Sequence, residues 1–164
     1  MSPNPYSVLF VCSGNICRSP LLMAMLRKLA KQRGVEGQIK VDSCALTAWF
    51  LGEPVDPRMV VAAQGKSLSL DHRARLIDGS DFARFDLIMP VDHDILTHVQ
   101  SLAREEGYRG EVCLATTYSR RFNGEEIQDP YYGGPEGFQT TIEMAEDSCL
   151  GLLDHLVAIK RISG

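Results

Sequence analysis

A surplus of positive charge is the first thing this sequence lacks. Its 17 Lys and Arg stand against 21 Asp and Glu, a formal charge of −4. No basic surface for nucleic acid is expected, and any anion site must be local. Long apolar runs are missing too: none approaches the ~18 residues of a membrane-spanning helix. No charged segment followed by an apolar stretch opens the chain, so a cytoplasmic protein without a membrane partner is expected. Cysteines number five, an odd count without paired spacing, which argues against a disulfide framework. Cys44, Cys113 and Cys149 read as small core residues. No His/Cys cluster completes four ligands with Cys12 and Cys17, so neither a metal nor another cofactor is expected. Repeats, linkers and low-complexity segments are absent. With 45% hydrophobic residues, residues 1–164 should form one domain around a single core.

What is present concentrates in residues 8–20. Val8 to Val11 is a short apolar, β-branched run, read as a buried strand that ends at Cys12. Ser19 suits a helix N-cap and Pro20 the first helical position. Five residues thus separate a cysteine at a strand end from an arginine at a helix start. Such a loop curls with its N–H groups inward and makes an anion-binding nest, backed by the helix dipole. Gly14 allows a positive φ or a close backbone approach, while Asn15 tolerates the left-handed region and can tie the loop together. Arg18 adds a planar, permanently charged fork for two phosphate oxygens. Cys12, at the bottom of this positive potential, is favoured as thiolate, a nucleophile in line with a bound phosphorus.

Along the chain, Ser19 to Gly34 reads as a helix with Leu21, Leu22, Met25, Leu26 and Leu29 on one face. Gln38 to Ala45 is a second strand, which completes a right-handed βαβ unit with the nest at its carboxyl edge. Asp56-Pro57 opens a short helix to Gly65. Phe85 to Met89 is a third strand, Pro90-Val91-Asp92 begins a helix that stops before Gly107, and Glu111 to Ala115 is a fourth strand. A long helix from Glu136 carries a core stripe of Phe138, Ile142, Ala145, Cys149, Leu152, Leu156 and Ile159. Before it, Gln128-Asp-Pro-Tyr-Tyr-Gly-Gly-Pro135 is a loop. A phosphomonoester's leaving oxygen must take a proton, and Asp129 is a loop carboxyl that can supply one. Trp49 on its loop reads as a satellite hydrophobic contact or as a functional aromatic, and the Tyr131/Tyr132 pair reads first as an amphipathic surface patch.

Cys12-Ser-Gly-Asn-Ile-Cys-Arg-Ser-Pro20 resembles the signature of the low-molecular-weight protein-tyrosine phosphatases, and Gly52-Glu-Pro-Val-Asp-Pro-Arg58 and Asp129-Pro-Tyr-Tyr132 resemble further motifs of that family. The resemblance implies an α/β, three-layer fold: a four-stranded parallel sheet of order 2-1-3-4, helices on both faces, and a phosphate-binding loop after the first strand. It implies that residues 12–18 (Cys12, Ser13, Gly14, Asn15, Ile16, Cys17 and Arg18) hold phosphate, with Cys12 as nucleophile, Arg18 as clamp and Asp129 as general acid. Asn15, Ser19, Ser43 and His72 would brace the loop, Trp49 and the Tyr131/Tyr132 pair would wall the cleft, and Cys17 would be the redox partner of Cys12. The implied partners are phosphotyrosine proteins, with inorganic phosphate and other tetrahedral oxyanions as product or inhibitors. Leu46, Phe50, Pro90, Val91 and Ile95 depart from the family pattern, while Asp92 keeps it. Three alternatives stay open: a protein-arginine phosphatase, which typically has Thr where Ile16 stands; an arsenate reductase, which needs a resolving cysteine pair near residues 80–90; and a phosphate-binding or redox-sensing module without catalysis.

Overall fold

Strand β1 (Tyr6–Cys12) is buried along nearly its whole length: parallel strands flank both its edges and helices cover both faces of the sheet. This is why it reads as a continuous apolar run rather than an alternation. The computed structural model describes residues 4–164. In it the sheet order is β2-β1-β3-β4, the order the family resemblance implies. Strand β2 (Ile39–Ala45) pairs with β1 from Tyr6↔Ile39 to Cys12↔Ala45. Strand β3 (Leu87–Pro90) lies on the other side of β1, with Val11 opposite Pro90. Strand β4 (Glu111–Val112) closes the edge.

Helix α1 (Arg18–Gln32) connects β1 to β2 and α4 (His93–Glu105) connects β3 to β4. The two crossovers run toward opposite edges of the sheet, so right-handed connection puts their helices on opposite faces. The long helix α5 (Pro135–Ala158) packs beside α1 and also meets α2 (Pro57–Gln64). Between β1 and β3 the chain changes direction of travel. The loop after β1 therefore opens into the crevice where α/β sheets bind ligands. Among the described residues, no helix is long and apolar enough to cross a membrane.

Three expectations need correction, and one element appears for which the sequence offers no signal. Helix α1 begins at Arg18 with Cys17 in the cap position and no capping side chain; the Ser19 hydroxyl is engaged elsewhere, as the site shows. Strand β4 is two residues long, not five. Cys113 N donates to Ile88 O and Ala115 N to Pro90 O, but the next rung would need an N–H on Pro90, which proline lacks. A four-residue helix, α3 (Asp81–Arg84), fills a stretch too short to show a helical period. Ile159 falls past the end of α5 and is 47% exposed, so the core stripe stops at Leu156.

Candidate active site

The loop after β1 is shaped by where its carbonyls go. Cys12 O accepts from Leu46 N (2.9 Å), Ser13 O from Thr47 N (3.0 Å), and Ile16 O from Asp56 N (2.8 Å). In a trans peptide the N–H points opposite to its C=O, so drawing these carbonyls outward turns the amides of Ser13, Gly14 and Cys17 the other way. Asn15 takes the left-handed conformation at φ 59°. Gly14 does not, and its lack of a side chain answers a different need: a Cβ there would sit 2.6 Å from Phe50 Cδ2. The inward amides are the nest the spacing suggested.

Cys12 ends buried at the base of this loop. Asn15 N donates to its sulfur at 3.2 Å, and Ser19 Oγ lies 2.9 Å from it. Hydrogen order follows from the neighbours. Arg75 N, an unambiguous donor, bonds Asn15 Oδ1 (3.0 Å), which fixes the amide orientation. Asn15 Nδ2 then donates to Ser19 Oγ (2.8 Å) and to Ser43 Oγ (2.9 Å). Having accepted there, Ser19 is free to aim its hydrogen at Cys12 Sγ, where it stabilises negative sulfur. On the same logic His72 Nε2 donates to Asn15 Oδ1 (2.9 Å) and lies 3.3 Å from Ser43 Oγ. Burial lowers the His72 pKa below the ordinary histidine value, which favours the neutral ring. The four bracing residues named from the resemblance thus form one connected network. Arg75 anchors its far end, tied through its guanidinium to Asp42 and the fully buried Asp81.

Arg18 is 4% exposed and its placement depends on residues far away in sequence. Nη1 donates to Asp92 Oδ2 (3.0 Å) and to Ile127 O (2.9 Å), and Nη2 lies 3.6 Å from Asp129 Oδ2. The other oxygen of Asp92 caps α4 by accepting from Ile95 N (2.9 Å). In the sequence Asp92 shows only as a helix start and a retained family residue; no local pattern announces its reach to Arg18.

Asp129 caps a 3-10 turn at residues 130–132 by accepting from Tyr131 N (3.0 Å), which holds its second oxygen toward Arg18. The cavity above Cys12 is lined by residues 12–18, Trp49, Phe50, Asp129, Tyr131 and Tyr132. Trp49 and Tyr132 form its rim, 76% and 82% exposed. Phe50 packs on Tyr131 with ring centroids 5.7 Å apart, and Tyr131 meets Tyr132 edge-on at 4.8 Å. Phe50 is therefore a lining residue, where the sequence shows only a departure from the family pattern. Cys17 lines the same cavity but is buried, and burial first, then the nearby Cys12, pushes its thiol far above the usual range. Among the described residues no three His, Cys, Asp or Glu side chains gather where they could hold a metal ion.

A family model described as low molecular weight phosphotyrosine protein phosphatase matches residues 7–161. The chain belongs to this family. The phosphatase is 37% identical over 150 residues to a low molecular weight protein-tyrosine-phosphatase of Streptomyces coelicolor, covering 90% of this chain and 92% of that one. A protein tyrosine phosphatase of Entamoeba histolytica, solved with Hepes in its active site, superposes with TM-score 0.87 at 29% identity, over 94% of this chain and 99% of the other. The drosophila arginine phosphatase matches with TM-score 0.85 and 32% identity, over 90% of this phosphatase and 96% of its own chain.

Proposed function

We propose that this phosphatase acts in the cytoplasm as one domain of residues 1–164 and hydrolyses phosphotyrosine in proteins, and small aryl phosphates, through a cysteinyl-phosphate. One observation carries the reading. The Cys12 sulfur, a ring of inward amides, Arg18 and Asp129 converge on one small cavity with aromatic walls.

A phosphotyrosine ring lies between the Trp49/Phe50 side and the Tyr131/Tyr132 side, stacked on apolar surface. Its phosphate takes the loop amides and the free face of the Arg18 fork. Cys12 thiolate attacks phosphorus as the bond to the phenol oxygen breaks, and the donors stabilise charge on the equatorial oxygens. Asp129 gives its proton to the leaving phenolate. Water then attacks the cysteinyl-phosphate, Asp129 takes the proton back, and phosphate and the thiolate are released. Ser19, donating to sulfur, makes Cys12 a better leaving group in this second step. Inorganic phosphate and other tetrahedral oxyanions occupy the same loop as product or inhibitors.

Substrate choice turns on Ile16, which lines the cavity. Its branched apolar side chain gives a phosphoguanidinium no hydrogen bond, a loss of about 1 kcal/mol or more inside a site. Phosphoserine is too short to reach Cys12 past the aromatic rim, and its alcohol leaves less readily than a phenol of pKa ~10. Relative turnover of phosphotyrosine, phosphoarginine and phosphoserine peptides tests the reading, with that order expected. A preference for phosphoarginine would overturn the substrate assignment. Cys17 is the redox partner: peroxide converts Cys12 to a sulfenic acid, which the Cys17 thiol captures as a disulfide with loss of water. Peroxide inactivation of Cys17→Ser should therefore resist reversal by added thiol.

A further inference from the structure

Beside the catalytic cavity lies a second depression of about 500 Å³ that the chemistry does not use. Its floor and sides are apolar: Pro57, Val61 and Ala62 on α2 face Pro135 and Phe138 at the start of α5. Val61 is 66% exposed on the wall of this groove, so its side chain is available to a partner. One side chain divides this groove from the catalytic cleft. The Arg58 guanidinium carbon lies 5.1 Å from the centroid of Tyr131, which lines the cleft, and 5.1 Å from that of Phe138, which lines the groove. Arg58 is held in that position by Asp56, which accepts from its Nε (3.1 Å) and Nη2 (2.7 Å). Its charge is thereby matched within the protein, so the ridge attracts an acidic group only weakly.

We infer that this groove receives an apolar side chain of the substrate polypeptide, close in sequence to the phosphotyrosine. The inference rests on the phosphotyrosine chemistry proposed above. A substrate whose ring is inserted in the cleft must lead its chain out over the rim. The Tyr131 side of that rim continues across a single guanidinium into the groove. An extended chain advances 3.3–3.6 Å per residue, so about two to four residues cross the ridge. An apolar side chain at that distance is removed from water by the two helices, whereas the already paired Arg58 gives a charged one no compensation for lost hydration.

Four measurements on the intact protein test this. Phosphotyrosine peptides in an alanine background, with leucine placed in turn at each of four positions on either side, are compared by kcat/KM. The same set is run with Val61→Glu, and p-nitrophenyl phosphate, too small to reach the groove, serves as the chemical control. Val61 is exposed on a helix and Glu is a good helix former, so the variant should fold. Leucine at a position two to four residues from phosphotyrosine is expected to raise kcat/KM about tenfold in the wild type. Val61→Glu should erase that preference and leave p-nitrophenyl phosphate turnover within about twofold. A flat leucine scan, or a preference that survives Val61→Glu, overturns the assignment. Sedimentation showing a wild-type dimer that Val61→Glu dissociates, together with a flat scan, would give the groove to a second copy of the chain and also overturn it. Absence of p-nitrophenyl phosphate turnover in the wild type would instead remove the phosphatase chemistry, and this inference with it.

Discussion

Asp92 binds Arg18 and caps a helix with the same carboxylate: Oδ2 lies 3.0 Å from Arg18 Nη1 and Oδ1 accepts from Ile95 N at 2.9 Å. The Arg18 guanidinium is thereby fastened to the start of α4. The two tasks separate by mutation. Asn caps as well as Asp, so Asp92→Asn should keep most of the stability while the uncharged amide orients Arg18 less firmly. A fall in kcat/KM of about tenfold or more is expected. Asp92→Ala should lose about 1 kcal/mol more through the cap. Thermal unfolding and steady-state kinetics of both variants check this. Equal kinetics in wild type and Asp92→Asn would show that Arg18 needs no charged partner.

Gly14 and Phe50 form a second tight relationship. A methyl group at Gly14 would meet the Phe50 ring, which also packs on Tyr131, so displacing the ring disturbs that contact. Gly14→Ala should cost about 1–3 kcal/mol as an overpacking change and lower kcat/KM on phosphotyrosine peptides. Adding Phe50→Ala should restore part of both. A double-mutant cycle reads the coupling directly, and additive losses would mean that the glycine serves the backbone rather than the ring.

His72 ties stability to pH. Burial lowers its pKa below the ordinary 6.5, so the unfolded chain takes up a proton where the folded protein does not. By linkage, the contribution of His72 is fully present above pH 6.5 and is lost as pH falls through the folded value. Urea unfolding at pH 7.5 and 5.5 should therefore show a larger drop for the wild type than for His72→Gln. An equal drop in both would mean that other groups carry the acid sensitivity.

Asp129 has a structural contact, Tyr131 N, as well as the acid role proposed for it. The two make different demands on the substrate. If it protonates the leaving oxygen, Asp129→Ala should slow phosphotyrosine peptides by ~10²–10⁴ and p-nitrophenyl phosphate much less, since p-nitrophenolate leaves without help. Equal losses on both substrates would assign Asp129 to holding the loop.

The parts of the site that were legible in the sequence are those built from neighbours along the chain. Strand, loop and helix follow one another from Val8 to Arg18, so the loop, its cysteine and its arginine lie in one continuous stretch. Asp92, Ile127 and Phe50 could not be read this way, because they arrive through the sheet order and the β2–α2 loop. Ser19 shows why local rules fail at a working site: its place before a proline suits a cap, yet its hydroxyl is taken by Cys12 and Asn15. Pro90 shortens β4 for a similar reason, since a missing N–H on one strand removes a rung from its neighbour. The anchor of the network, Arg75, reaches Asn15 through a backbone amide, which no side-chain pattern encodes.

The covalent intermediate tests the central claim most directly. Wild-type enzyme mixed with excess p-nitrophenyl phosphate, quenched in the steady state and digested, should carry phosphate on the peptide that contains Cys12 and on no other. Cys12→Ser should carry none and turn over no substrate, while still binding vanadate through the loop amides and Arg18. Phosphate on a different residue, or more than a few per cent of activity in Cys12→Ser, would contradict the mechanism.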